Sequence, residues 1–164
     1  RLFNPLKPTQ FNKGRTLSEG TDITLFSSSV CTEEAMRATK YLENQGLSVQ
    51  HVHITTLKPF NDPLVVESIK KAKYGVITME NHTVIGGLGT AVAEVMVENQ
   101  IGKKLIKVGI QDEFTHGASK PYLMKKYGLD ATALINAVEK LIGKNLNFSE
   151  ADLDSIRLED YDAV

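Results

Sequence analysis

Between Val76 and Gln100 the chain runs through a fixed succession: an apolar strand, a charged and polar triplet, a glycine-rich turn and an apolar helix. Val76-Ile77-Thr78-Met79 is the strand. Glu80-Asn81-His82 is the triplet, and Gly86, Gly87 and Gly89 make the turn. A strand that must hand over to a helix through glycines is a βα unit. The polar triplet then falls at the carboxyl end of the strand, where open α/β sheets place function. The glycines let backbone approach a ligand, a neighbouring element or another subunit closely.

The flanking sequence extends this pattern. Asp22 to Ser28 alternates apolar and polar residues, which predicts a strand over Ile23 to Phe26. Thr32 fits the cap of a helix reaching about Gln45, with Glu33 and Glu34 in its first turn and Gly46 just past its end. A strand over Val49 to Ile54 follows, then a loop at Leu57-Lys58-Pro59-Phe60. A helix starts at Asn61 or Asp62 with Pro63 and runs over Leu64 to Lys73. The strand Tyr74 to Met79 leads to the glycine turn. The helix Leu88 to Gln100, the strand Leu105 to Ile110, and helices over Ser119 to Tyr127 and Ala131 to Ile142 complete the series. Alternating strands and helices predict a mainly parallel sheet with right-handed crossovers and helices on both faces.

Helix Leu88 to Gln100 is apolar nearly all round. Leu88, Val92, Val95 and Met96 form one side, Ala91, Ala93 and Val97 widen it, and Glu94 and Glu98 are its only charges. Such a helix is expected to be covered on two sides, the second by another subunit. Substitutions at Gly87 or Val97 are therefore expected to weaken self-association more than folding.

Composition excludes several classes. The formal net charge of −1 and the lack of a dense basic block argue against a nucleic-acid partner. No apolar run is long enough to span a bilayer, and no signal peptide is visible. The single cysteine, Cys31, excludes an internal disulfide framework and a thiolate zinc cluster, and fits a reducing compartment. The 164 residues suit one domain. Residues 1–14, with Pro5 and Pro8 and no period, read as a linker from a missing upstream part, since the chain opens on Arg1. Residues 144–164 read as an acidic tail. Within it Ser149 with Asp152 is a weak capping signal, and Leu153, Ile156 and Leu158 could form a docking turn, but a solvated tail is the preferred reading.

The candidate sites are incomplete. Gly87-Leu88-Gly89 supplies two glycines of a dinucleotide fingerprint, but Val92 stands at the third position and the turn follows a middle strand. No Gly-Lys-Ser or Gly-Lys-Thr follows, so it is not an ATP loop. A phosphate or carboxylate at the helix N-terminus is physically easier, and close packing without a ligand is the preferred reading. Glu80 and His82 could serve as an acid–base pair. Asp112 and His116, in the loop after the last strand, could join them on one rim. His51 and His53 share a strand face but lack a third metal ligand. Cys31 lies near a helix start, where a thiolate gains stability, yet reads as a packing residue.

Three stretches resemble the C-terminal domain of transketolase-type thiamine diphosphate enzymes. Gly20-Thr21-Asp22-Ile23-Thr24-Leu25 is similar to the family's opening strand. Glu80-Asn81-His82 with Ile85-Gly86-Gly87-Leu88-Gly89 and Ala93-Glu94 resembles the C-terminal subunit of split bacterial transketolases. Val108-Gly109-Ile110-Gln111-Asp112-Glu113-Phe114, His116-Gly117 and Tyr127-Gly128-Leu129-Asp130 resemble the family's ending. The likeness covers Gly14 to Gly143.

The resemblance implies a three-layer α/β/α domain over residues 15–143, with a five-stranded, mostly parallel sheet and one antiparallel edge strand from around Arg15 to Glu19. It implies a cytoplasmic enzyme that transfers a two-carbon ketol unit between sugar phosphates with thiamine diphosphate and Mg. The domains that bind the cofactor's diphosphate and pyrimidine would be the missing partners. No catalytic, cofactor-binding or metal residue carries over, so the chain alone is expected to bind no cofactor and to be inactive. Glu80, Asn81, His82, Gly86, Gly87, Gly89, Asp112 and His116 stand as interface or anion-site candidates, with a homodimer as the implied assembly. Deoxyxylulose-phosphate synthase and the beta subunit of 2-oxo-acid dehydrogenases are the alternative branches. A stand-alone anion-binding regulatory module is the alternative of another class.

Overall fold

A computed structural model of the chain describes residue 3 and residues 7–158. The strands are β1 (Arg15–Ser18), β2 (Ile23–Ser28), β3 (Val49–Ile54), β4 (Gly75–Thr83) and β5 (Leu105–Ile110). They form one sheet in the order β1-β3-β2-β4-β5, with β1 antiparallel to β3 and the other pairs parallel. The helices are α1 (Cys31–Asn44), α2 (Pro63–Lys71), α3 (Leu88–Glu98), α4 (Lys120–Lys126), α5 (Ala131–Ile142) and α6 (Glu150–Asp154).

The alternation of side chains along each strand divides the core in two. Ile23, Leu25, Ile77 and Met79 pack with Ala35, Leu42, Leu134 and Val138 of α1 and α5 on one face. Phe26, Val52 and Val76 pack with Ile69, Val92 and Met96 of α2 and α3 on the other. The expected three-layer α/β/α fold with one antiparallel edge strand is the observed one. From β2 the chain turns to α1 on one face, and from β4 to α3 on the other. A crevice therefore opens between the carboxyl ends of β2 and β4, the topological switch point of the sheet.

Several element ends differ from expectation, each for a local reason. β4 continues to Thr83, so Glu80, Asn81 and His82 lie within the strand. Pairing with β5 is irregular after Met79 and resumes at Thr83↔Ile110, which carries the triplet as extended chain past the irregularity. α2 stops at Lys71, because the N–H groups of Lys73 and Tyr74 bond to the carbonyls of Thr21 and Asp22 and draw the chain into β4. α3 stops at Glu98, where Gln100 adopts φ +56° and Ile101 N–H bonds back to the Met96 carbonyl at 2.8 Å. Thr32 does not cap α1. Its hydroxyl points inward to Ser27 and His53, and Val30 takes the cap position without a side-chain bond.

Both ends of the described chain are tied down. Asn12 N–H bonds to Thr56 Oγ1 at 3.1 Å, and Gly14 N–H bonds to Asp62 Oδ2 at 2.7 Å. Asp62 also caps α2 through Leu64 N–H. The preferred reading of residues 144–158 as solvated is corrected. Ser149 and Asp152 form a full capping box, Leu153 buries against α1 and α5, and Arg37 Nη2 donates to the Leu153 carbonyl at 3.0 Å. The remaining acidic positions Glu159, Asp160 and Asp162 lie outside the described residues.

Leu153 gives this docking its test. Leu153→Ala should lower stability by about 2–4 kcal/mol in urea unfolding, the range for a buried leucine truncation. A change under about 0.5 kcal/mol would mean that the tail does not dock.

Candidate functional site

The glycine turn at the switch point is organised by Glu80. Its side chain is buried, and its carboxylate reaches forward to the start of α3. Leu88 N–H donates to Oε2 at 2.7 Å and Gly89 N–H to Oε1 at 2.9 Å. The N-cap residue Gly87 has no side chain to offer, so the preceding strand supplies the cap. A carboxylate at this end also meets the positive end of the helix dipole. A helix N-terminus that could receive an anion is therefore filled by the protein's own anion.

The glycines follow from this contact. A Cβ on Gly87 would lie 2.1 Å from Glu80 Oε2. One on Gly89 would lie 2.4 Å from Lys107 Cδ and 2.9 Å from Thr78 Oγ1. Gly86 sits at φ +75°, a conformation costly to other residues. The loop between β4 and α3 is pinned from three sides. Lys107 Nζ donates to the Val84 carbonyl at 2.8 Å, Gly86 N–H to Thr90 Oγ1 at 2.9 Å, and Val84 N–H to the Ile110 carbonyl at 3.0 Å. The turn is closely packed. A diphosphate does not fit this turn: both leading N–H groups are used, and Glu80 fills the space over Gly87.

The other sequence candidates separate. Glu80 and His82 do not pair: Glu80 points into the protein, and exposed His82 donates Nδ1–H to the Thr83 carbonyl at 2.9 Å. Asn81 is also exposed. Glu80, Asn81, His82, Gly86 and Gly87 line one open groove of ≈ 570 Å³ with Ser28, Ser29, His53 and Thr55. Asp112 and His116 do not line it. Both stand in the exposed β5–α4 loop, and His116 Nδ1 bonds to Tyr127 Oη at 3.0 Å.

His51 and His53 belong to a buried polar chain rather than a metal site. His51 Nε2 shares a 2.7 Å hydrogen bond with Ser27 Oγ, Ser27 a 3.0 Å bond with Thr32 Oγ1, and Thr32 a 2.8 Å bond with His53 Nδ1. Among the described residues no three His, Cys, Asp or Glu side chains gather into a metal site. Burial, and then His53, pushes the His51 pKa down to about 3. Burial and then the nearby Arg15 charge push His53 down to about 4. The Cys31 thiol goes the other way, to about 12, through burial and then the carboxylates of Glu80 and Glu34. It stays protonated and packs as an apolar residue.

Lys107, Thr90, Thr78 and Gly109 were not singled out in the sequence, yet they complete the turn. Gly109 offered one signal, since an isolated glycine within a strand marks close backbone approach. A Cβ there would meet the His82 carbonyl at 2.9 Å.

Residues 12–134 match the family model described as transketolase, C-terminal domain. A protein of Methanocaldococcus jannaschii named "Putative transketolase C-terminal section" is 39% identical over 129 residues, which cover 79% of this chain and 40% of that one. The 6-deoxy-6-sulfo-D-fructose transketolase subunit SqwH of a Clostridium species is 36% identical over 129 residues, covering 79% and 39%. A solved structure described as a split gene transketolase, inactive beta4 tetramer, superposes with a TM-score of 0.78 at 39% identity, over 87% of this chain and 46% of that one. The chain thus spans about two fifths of the length of these curated relatives.

Two measurements check the site. Glu80→Ala leaves two buried N–H groups unmatched and should lower stability by roughly 3 kcal/mol or more, with Glu80→Gln intermediate. Equal stability of all three proteins in urea at pH 7 would refute the capping role. The histidines set a pH dependence. Folded, both are neutral well below 6.5, whereas the unfolded chain binds protons near 6.5. Their stabilisation is complete above pH 6.5 and falls as the pH drops from 6.5 towards 4 and 3. Stability should fall by about 1.4 kcal/mol per pH unit per histidine between pH 6 and 5, above the main carboxylate range. His51→Gln should remove about half of that slope, and an unchanged slope would refute it.

Proposed function

This chain belongs to the transketolase C-terminal domain family, and from that premise we propose that it is the non-catalytic assembly domain of a two-carbon ketol transferase. In this reading residues 15–143 are the domain unit, residues 1–14 lead in from the cofactor-binding part, and residues 144–164 are an acidic addition. The observation that carries the reading is the self-contained glycine turn. Glu80, Gly87 and Gly89 are engaged in holding α3 to β4 rather than in presenting groups to a substrate.

Thiamine diphosphate and Mg belong, in this proposal, to the portion of the enzyme that the chain does not span. The cofactor would supply the carbanion chemistry there. This chain would fix the position of the domains around it. The partners are the diphosphate-binding and pyrimidine-binding domains, on the same polypeptide or a separate one, and a cytoplasmic location goes with that assignment. Among the described residues no helix is long and apolar enough to cross a membrane.

The proposal includes a homodimer through the outer side of α3. Val97 is 78% exposed there, on a helix whose other side is buried by Leu88, Val92 and Met96. An exposed valine beside partly buried Ala93 is the uncovered half of the apolar helix. Gly87 is no longer a clean probe of that interface, because any Cβ there strikes Glu80. A piece of a 1-deoxy-D-xylulose-5-phosphate synthase is the alternative. One such protein, from Chlorobium phaeovibrioides, is 32% identical over 136 residues but is spanned over only 21% of its length.

Two experiments test the proposal. With thiamine diphosphate, Mg and sugar phosphates, the chain alone should give no ketol transfer, and adding the cofactor-binding part of its enzyme should restore it. Turnover by the chain alone would overturn the assignment, and formation of 1-deoxy-D-xylulose 5-phosphate by the complete enzyme would select the alternative. Light scattering across a concentration series should show a dimer that Val97→Asp weakens at least tenfold with an unchanged melting temperature. A strict monomer would remove the α3 interface.

A further inference from the structure

A hydroxyl donates one hydrogen, and a neutral imidazole carries one N–H. These two counts constrain the buried polar chain that runs from β3 through β2 and α1 back to β3. Its links are His53 Nδ1 to Thr32 Oγ1 at 2.8 Å, Thr32 Oγ1 to Ser27 Oγ at 3.0 Å, and Ser27 Oγ to His51 Nε2 at 2.7 Å. Beyond the last link, His51 Nδ1 lies 3.5 Å from Thr39 Oγ1. Ser27, Thr32, Thr39 and His51 are buried, so bulk water cannot replace a missing link. Among the described residues Ser27 Oγ and Thr32 Oγ1 have no further partner. Burial keeps both rings neutral at pH 7, and for His53 the charge of Arg15 acts in the same direction.

Two arrangements place one hydrogen in every link. In the first, His53 donates from Nδ1 to Thr32, Thr32 to Ser27, and Ser27 to Nε2 of His51, whose own N–H is then on Nδ1, towards Thr39. In the second every link is reversed. His51 donates from Nε2, and Thr32 donates to Nδ1 of His53, whose N–H is then on Nε2. The two rings therefore carry hydrogen on the same nitrogen, both on Nδ1 or both on Nε2. The mixed arrangements fail. With hydrogen on Nε2 of His53 and Nδ1 of His51, both hydroxyls donate outward, and their oxygens face each other with no hydrogen between them. With the reverse assignment both rings donate inward, and one hydroxyl hydrogen has no acceptor in the chain. An unmatched buried group disfavours either mixture by roughly tenfold or more.

The chain also joins two grooves. Half-buried His53 lines the switch-point groove with Ser28, Asn81 and His82. His51 and Thr39 line a second groove between β1 and α1, with Leu17, Met36 and Lys40. We propose that His53, Thr32, Ser27 and His51 form a two-state hydrogen-bond relay that ties the tautomer of His53 at the switch-point groove to that of His51 at the β1–α1 groove. Nδ1 of His53 is committed to Thr32, so a group in the switch-point groove meets this ring through Nε2. In the first state Nε2 accepts a hydrogen bond, and in the second it donates one. Passing from the first to the second, His53 takes up a proton from solvent at Nε2. The three linking hydrogens each move one place towards His51, and His51 releases its Nδ1 proton past Thr39 to solvent. No net charge is left on the chain. A hydrogen-bond donor bound at His53 thus favours one setting of the second groove, and an acceptor favours the other. The relay is independent of the assembly role proposed above.

Histidine-selective nitrogen NMR on the full chain at pH 7 tests the relay, with the two rings assigned through His51→Gln and His53→Gln. The ring nitrogen shifts report the ratio of Nδ1–H to Nε2–H for each imidazole. The ratios of His51 and His53 should agree within twofold at every temperature of a series. Opposite tautomers on the two rings would overturn the relay. Thr32→Val removes the middle hydroxyl, so the two ratios should separate by at least threefold, whereas Thr32→Ser should keep them matched. Ratios that stay matched in folded Thr32→Val would overturn the relay, because the coupling would then not pass through that hydroxyl. If Thr32→Val does not fold, Thr32→Ser and the unsubstituted chain still decide: a separation of the two ratios in either would refute it.

Discussion

The two hydrogen bonds from Leu88 and Gly89 to the Glu80 carboxylate hold the switch point of this domain together. They join the end of a central strand to the start of the helix that follows it. They supply a cap that Gly87 cannot provide, and they place a negative charge where the helix dipole stabilises it. Much of the local sequence follows from them. A Cβ on Gly87 would strike the hydrogen-bonded carboxylate, and one on Gly89 would displace the Lys107 stem that leads to the Val84 carbonyl. A cap taken from a strand rather than from the N-cap residue also fixes the helix against the sheet, which a local cap would not do.

On the opposite face of the sheet a second polar device works differently. The chain from His51 through Ser27 and Thr32 to His53 is held by hydrogen bonds between neutral groups. Burial keeps both imidazoles uncharged, so the network needs no ion pair to balance it. It accounts for the uncapped start of α1, because Thr32 turns its hydroxyl inward to this chain. The two helices beginning at the switch point thus start without a capping side chain at the N-cap itself, and each is tied into the body of the domain.

Much of the fold was legible in the sequence. The strands over Val49 to Ile54 and Leu105 to Ile110 and the helix over Ala131 to Ile142 have the bounds that the hydrophobic pattern predicts. Those segments are bounded by turn residues and have one clear period. The edge strand Arg15–Ser18 was legible only through the family resemblance, since four residues carry too little pattern. The site was legible as a location but not as a mechanism. Glu80-Asn81-His82 read as a polar triplet following the strand, whereas β4 runs on to Thr83 and the Glu80 side chain turns in to the start of α3. Which side of a strand a polar residue faces depends on where pairing stops, and the irregularity after Met79 left no signal in composition. The tail was misjudged for a related reason. Its acidic residues suggested solvation, but a single leucine held by a capping box and a carbonyl bond to Arg37 suffices to dock one turn.

Glu80 changes what the start of α3 offers at the carboxyl end of the sheet. In open α/β folds that end receives ligands, because loops diverge there and helix N-termini offer free N–H groups. Here α3 has its N–H groups closed by Glu80, and the N–H of Thr32 in α1 is turned back onto the Ser29 carbonyl. Exposed on the surrounding loops are the apolar Val30, Leu57, Ile85 and Phe114 beside the polar and charged Lys58, Asn81, His82, Asp112 and Glu113. The topology keeps the crevice of an open α/β sheet while Glu80 occupies the helix N-terminus that faces it. That arrangement depends on one carboxylate: without Glu80 the start of α3 would present unmatched donors at the groove, which is what an anion needs.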